Sequence, residues 1–285
     1  MGRPLAPYRL LRSPPDFHSL LSAESQALLT ANLGEVQARI SAACAQCGRD
    51  PADVTLVAVT KTVVPEVAHA LTELGPMDLG ENRLPPFDAK LQAFKALPEV
   101  SQPTWHFIGK IQSNKARRVV ERAAVIHSVD SLKLLRTIGR VASETDRCPS
   151  VYLQVKHATL QGDEAKTGMQ PSELKQAMAI AAELTEAGHI SLAGLMAMAP
   201  LGLDPSIQKS AAAETFALHA NLAASLDAGL FAGGTPRLSM GMTGDLEEAI
   251  AAGSTCVRVG SALFRGLPPE LRNATPAQTA PPTAP

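Results

Sequence analysis

The sequence predicts an α/β protein, a (β/α)8 TIM barrel in a single domain, and three observations carry that expectation. Eight short runs of apolar or β-branched residues recur along the chain. Between them lie stretches whose apolar residues recur at helical spacing, so the strands run parallel through helical crossovers. A lysine, several glycines and hydroxyls, and a lone arginine cluster at or near strand ends, where the active sites of α/β folds lie. An open doubly wound sheet would show the same alternation, and periodicity alone does not close the barrel.

Residues 1–26 read as a disordered leader, because Pro4, Pro7, Pro14, Pro15 and Asp16 spoil both an apolar signal core and an amphipathic transit helix. The barrel is expected over residues 27–266. Its first helix carries Leu29, Leu33, Val36, Ile40, Cys44 and Cys47 at spacings of 4, 3, 4, 4 and 3, and Gly48 closes it. Both thiols of this C-x-x-C thus extend an apolar stripe. With no second pair and no preceding strand, packing outweighs a zinc or redox role.

The run VTLVAVTK, 54–61, is the first strand. A helix from Pro65 to Gly75 follows, striped by Val67, Ala70, Leu71 and Leu74. MDLGEN, 77–82, is the second strand, and the next helix carries Phe87, Leu91 and Phe94. TWHFIG, 104–109, and VIHSVD, 125–130, are strands three and four, separated by a helix over 113–124 that opens on Ser113 as its cap. A helix to about Glu144 leads to strand five, VYLQVKH, 151–157. The helix from Pro171 to Gly188 turns Leu174, Ala177, Met178 and Ala181 inward. SLAGLMAM, 191–198, is strand six, followed by a long helix over 206–228 striped by Leu218, Leu222 and Leu226. RLSMGM, 237–242, a short helix over 243–253 and TCVRVGSALF, 255–264, complete the set. Residues 267–285, with Pro268, Pro269, Pro276, Pro281, Pro282 and Pro285, read as a disordered tail.

Composition narrows the function. Among 285 residues, 26 basic and 27 acidic groups give a formal charge of -1, so no overall field draws nucleic acid or an anionic membrane. Aromatics at 4% argue against a base-stacking platform. No apolar run approaches the roughly 20 residues of a membrane span. A soluble, cytoplasmic monomer is the default expectation.

Lys61 ends the first strand on the face of Val57 and Val59, so a barrel would deliver its amine to the C-terminal mouth. A low-dielectric site there would favour the neutral, nucleophilic amine. An ordinary strand-ending lysine is the bland alternative. In LSMGMTGD, Gly241 and Gly244 let the backbone approach an anion while Ser239 and Thr243 offer hydroxyls, and VGS at 259–261 adds a second loop. Tight turns and a capping Thr243 would explain the same residues. Arg258 interrupts an apolar strand and needs a partner, either a structural carboxylate or an acceptor nitrogen on a bound ring. An aldehyde-capturing lysine, a phosphate cup and an arginine for a ring nitrogen are the three handles that pyridoxal 5'-phosphate (PLP) presents to a protein.

TLVAVTK, GEN, WHFIGKIQSNKAR, HSVD, AGLMAMAP, LSMGMTGDLEEAIAAGST and VRVGSALF, in this order over about residues 33–266, resemble the signatures of the pyridoxal phosphate homeostasis protein family, single-domain relatives of the alanine racemase barrel. The resemblance implies PLP as cofactor, with Lys61 forming the internal aldimine, a Schiff base, Ser239, Gly260 and Ser261 holding the phosphate, and Met240 among the cofactor-binding residues. It also implies Arg258 at the pyridine nitrogen and Asn82, His106 and Met196 near the ring. The implied role is vitamin B6 homeostasis, in which the protein binds and buffers the cofactor and delivers it to apo-enzymes as acceptors, with no established catalytic reaction.

Some positions depart from the family pattern. Arg83 replaces a frequent tyrosine, Pro85 and Pro86 replace a Gln-Glu pair, and Lys156 and His157 disturb the strand-five motif, although Asp163, Lys166 and Gly168 keep part of its loop. Ser261 replaces a frequent threonine and keeps the hydroxyl. The first three of these changes bear on the rim and on surface partners, not on cofactor attachment.

A PLP-dependent amino-acid racemase or lyase is the competing class, and a phosphosugar barrel without cofactor a third. The carrier is favoured because related racemases and decarboxylases append a β-domain, and in the racemases that domain supplies a tyrosine. This chain has only Tyr8 in the leader and Tyr152 near the start of strand five.

Overall fold

A computed structural model describes residues 21–95, 102–156, 167–200 and 203–272. Its strands are β1 (Thr55–Val59), β2 (Asp78–Glu81), β3 (Thr104–Phe107), β4 (Val125–Val129), β5 (Ser150–Gln154), β6 (Ser191–Met196), β7 (Arg237–Ser239) and β8 (Cys256–Val259). They pair in chain order as parallel neighbours and close into a barrel. Closure is made where β8 returns to β1, with Val57 opposite Arg258. That seam decides the barrel over the open sheet.

Around it lie α1 (Ala23–Gln46), α2 (Pro65–Glu73), α3 (Leu84–Lys95), α4 (Ala116–Arg122), α5 (Leu132–Glu144), α6 (Leu174–Glu186), α7 (Pro205–Ala224) and α8 (Leu246–Ala251). Alternation along each strand sorts the side chains into two layers. Ala58, Leu79, Trp105, Phe107, Ile126, Val257 and Val259 join the large core that includes the helices. The neighbouring positions fill the barrel, and there the strands carry polar groups: His106, His127, Ser239 and Arg258 are all buried. An apolar outer layer anchors the barrel, and the interior is free to hold chemistry.

Both termini of the domain extend beyond the expected limits. Ser22 caps α1 by accepting from the Ser25 amide at 3.2 Å, so the helix begins inside the stretch assigned to the leader. Beyond Leu267, which is itself buried, the Val64 amide donates to the Leu271 carbonyl and Arg272 pairs with Val63. The backbone bonds made there hold the chain to the barrel through residue 272. Residues 1–20 and 273–285, with the rest of the predicted leader and tail, lie outside the described residues, as do His157, Asp163 and Lys166.

Four readings of local sequence need correction. Cys44 is buried in α1, but Cys47 is exposed at the helix end, where its thiol donates to the Ala43 carbonyl at 3.2 Å. Both thiols are free, and among the described residues no group of His, Cys, Asp and Glu side chains could hold a metal ion. Ser113 opens a short 3-10 turn without capping α4. In α2, Val67 and Leu71 are buried as expected, but Leu74 is exposed and His69 takes an inward position. In α7 the inward face is Ala212, Thr215, Phe216, His219 and Ala223, whereas Leu218 is 37% exposed. The bulk of Phe216 sets the rotation of α7, and the small Ala212 and Ala223 let that helix approach the barrel.

Pro85 and Pro86 fall in the first turn of α3, where a missing N–H costs no intrahelical bond. That helix packs Phe87 and Phe94 on Trp105, with ring centroids 5.4 and 5.3 Å apart. It also brings Lys90 to Glu81, Nζ to Oε1 at 3.0 Å, with both side chains buried.

Candidate functional site

A cavity of about 900 Å³ opens at the C-terminal ends of the strands, lined in part by Lys61, Asn82, Met196, Arg258, Gly260 and Ser261. Six of the nine expected site residues therefore meet around one space. The turn that carries Lys61 is fixed from below: the Thr60 amide donates to the Gly80 carbonyl at 3.0 Å, and its hydroxyl to Glu81 Oε1 at 2.6 Å. Lys61 itself is exposed on the cavity wall, not sunk in an apolar pocket as the sequence suggested.

Asn82 follows β2 directly, and its backbone lies against Gly109, where any Cβ would collide with the Asn82 carbonyl. Gly109 thereby lets the segments after β2 and β3 close up as one wall. Met196, at the end of β6, is buried and also lines the cavity.

Among the described residues Arg258 is met by neutral oxygens in place of the structural carboxylate that was one of its two expected partners. Its Nη1 donates to Ser239 Oγ at 2.5 Å and its Nη2 to the Ala197 carbonyl at 3.1 Å, both neutral oxygens. Burial pushes the guanidinium below its ordinary value, while Cys256, Asp245 and Tyr152 push the other way. A cation with neutral partners at the base of a cavity favours electron-rich ligand atoms above it.

The hydroxyl pair at the site is Thr243 with Ser261. Ser261 Oγ donates to Thr243 Oγ1 at 3.0 Å, and both line the cavity beside Gly244 and Gly260. Gly241 makes the turn between β7 and this segment, with φ of 93° and space for a Cβ only 2.7 Å from Ala249. Arg39 on α1 braces the same segment, donating to Glu247 at 2.7 Å and to the Thr243 carbonyl at 2.9 Å. Among the described residues the cavity is lined by Arg39, Lys61, Arg258, Arg265 and Arg272 and by one acid, Glu35, with Arg39 paired to Glu247 and Arg265 to Glu35. That balance suits an anion.

Three expected site residues stand elsewhere. Ser239 is buried below the cavity, engaged by Arg258 and by His127 at 2.7 Å. Register explains it: Ser239 pairs with Cys256, the first residue of β8, and so lies a layer beneath Arg258. His106 likewise bonds His127 and Asp78 inside the barrel. The Met240 side chain belongs to the helix-facing core, and its amide donates to the Cys256 carbonyl. Thr243, whose hydroxyl the sequence already offered to an anion, lines the cavity. His127 is the residue that sequence reasoning missed, and an inward imidazole in an apolar strand is the signal for it.

An exposed amine, a hydroxyl pair on glycine-rich turns and a buried cation around one cavity fit the aldehyde, the phosphate and the ring nitrogen of PLP. The fold and this site define a single barrel of the alanine racemase type, and residues 31–268 match the family of the alanine racemase N-terminal domain. The chain is 40% identical over 214 residues to the pyridoxal phosphate homeostasis protein of Synechocystis sp., covering 75% of this chain and 92% of that one. It is 37% identical over 233 residues to the protein of the same name from Pseudomonas aeruginosa, covering 82% and 93%. The structure of PipY from Synechococcus elongatus with PLP bound matches with a TM-score of 0.66 at 33% identity, over 83% of this chain and 99% of that one. The chain belongs to the pyridoxal phosphate homeostasis protein family.

Proposed function

We propose that this protein binds, buffers and hands on PLP, and that Lys61 is its covalent anchor. The observation that carries the reading is the convergence of Lys61, Arg258 and the Thr243–Ser261 pair on one cavity. PLP supplies an aldehyde that a primary amine captures with loss of water, a link that water or a second amine undoes. Lys61, exposed on the wall, is the amine within reach of both the cavity and the solvent. Thr243 and Ser261 donate hydrogen bonds to the phosphate, and the cavity's arginines neutralise its charge.

Arg258 has only N–H groups to offer, so a nitrogen accepting from it stays unprotonated. That arrangement weakens electron withdrawal toward the ring and disfavours turnover. Among the described residues no tyrosine lines the cavity. Tyr152 is buried in the barrel interior, stacked on His127 with ring centroids 4.6 Å apart. The site therefore supports a carrier over a racemase or lyase.

Mixing the loaded protein with an apo-enzyme that requires PLP tests delivery: activation faster than from free PLP is expected, and activation no faster counts against it. Incubation with amino acids in deuterated water tests the enzyme class. Rapid exchange of the α-hydrogen would overturn the carrier reading.

A further inference from the structure

Beneath the cavity the barrel holds a continuous line of hydrogen bonds that cofactor binding does not by itself require. It starts at Asp78, the first residue of β2, whose side chain is 33% exposed at the N-terminal face. Asp78 Oδ1 lies 2.8 Å from Nε2 of His106, and Nδ1 of His106 lies 2.8 Å from Nε2 of His127. Nδ1 of His127 lies 2.7 Å from Ser239 Oγ, which accepts from Arg258 at 2.5 Å. Strands β2, β3, β4, β7 and β8 each contribute one residue.

The two ends set every proton between them. Arginine only donates, an ionised carboxylate only accepts, and a neutral imidazole does one of each. His106 must donate from Nε2 to Asp78, which leaves its Nδ1 to accept from Nε2 of His127. His127 then accepts at Nδ1, and Ser239, already accepting from Arg258, gives its proton there. We infer that Asp78, His106, His127 and Ser239 form a one-way hydrogen-bond chain that positions the Arg258 guanidinium under the cavity, with both imidazoles in the Nε2–H form.

The surroundings agree with a neutral His127. Burial, then His106 and Arg258, holds His127 well below the ordinary imidazole range. Tyr152 stacks on that ring, Arg237 interacts with Tyr152, and Cys256 faces Ser239. The opposite polarity would need protons on both nitrogens of His106. It would also turn the Ser239 proton toward Cys256. These four are positioning residues, acting on a ligand only through Arg258.

The first arm of the test uses the cofactor-free full-length chain. Nitrogen-15 correlation spectra of its imidazoles should show protonated Nε2 and pyridine-like Nδ1 on both His106 and His127. A proton on Nδ1 of His127 would overturn the inference. The second arm rests on the proposed PLP site and compares Asp78→Ala with Asp78→Asn, whose amide oxygen still accepts. Asp78→Ala should weaken PLP binding about three- to ten-fold, toward the lower end of the coupling between neighbours in one network, and shift the absorption maximum of the bound cofactor. Asp78→Asn should restore both. Identical affinity and spectrum in all three proteins would overturn the positioning role. Failure of the wild-type chain to bind PLP would instead overturn the proposed function, with the first arm still deciding the direction of the chain.

Discussion

Ser261 donates a hydrogen bond to Thr243 across 3.0 Å, joining the segment after β8 to the segment after β7. The bond places two hydroxyls, contributed by neighbouring strands, at one cavity wall. A phosphate bound there takes both protons once Ser261 turns its hydroxyl from Thr243 to the anion, and each bond is then charge-assisted. Ser261→Ala and Thr243→Val should each weaken PLP binding by about 1.5–3 kcal/mol. Fluorescence titration with PLP measures this, and Ser239→Ala should show no matching loss of direct phosphate contact.

Lys90 and Glu81 form a buried ion pair beneath the turn that carries Lys61. Burial pushes the Glu81 carboxyl up, and Lys90 is the largest influence in the other direction. Lys90→Met leaves that carboxyl buried without its ion-pair partner, hydrogen-bonded by the Thr60 hydroxyl, so a loss of about 3–5 kcal/mol is expected in urea unfolding. A Glu81→Leu, Lys90→Met double variant should recover most of it, because the desolvated charges leave together.

His127 stays neutral inside the barrel, its imidazole held well below the usual range by burial first and by His106 and Arg258 next. Below about pH 6.5 the unfolded chain takes up a proton on this ring and the folded chain does not. The contribution of this ring is therefore full above that pH and shrinks as pH falls toward the folded value, by up to about 1.4 kcal/mol per unit. Urea midpoints between about pH 7 and pH 5 read that slope. His127→Gln should flatten it relative to the wild type.

Phe216 is fully buried on α7, while Leu218 is 37% exposed. Phe216→Ala should cost about 3–5 kcal/mol, and Leu218→Ala should change stability by less than about 0.5 kcal/mol. Equal losses would contradict the observed rotation of the helix.

The strands and the chemistry at their ends were legible because each β/α unit repeats the same local pattern. Lys61 and Arg258 each stand out as a charge on an apolar strand. The layer at which a side chain sits depends on register between strands, and no single segment encodes that. Ser239 and Thr243 lie four residues apart on one motif. Only the pairing of Ser239 with Cys256 shows that the first hydroxyl is beneath the cavity and the second beside it. The His106–His127 contact joins strands whose sequences carry no mark of each other. On α7, Leu222 packs against the core as its spacing predicts, but Leu218 is exposed, and Phe216 with Ala212 and Ala223 forms the buried face that the leucine spacing alone does not mark.

The most direct test concerns Lys61. The purified protein should be yellow with PLP, and borohydride reduction followed by peptide mapping should find the coenzyme on Lys61, whereas Lys61→Ala should lose both the colour and the tight retention. Coenzyme fixed to another lysine, or bound by Lys61→Ala with unchanged colour and affinity, would contradict the account.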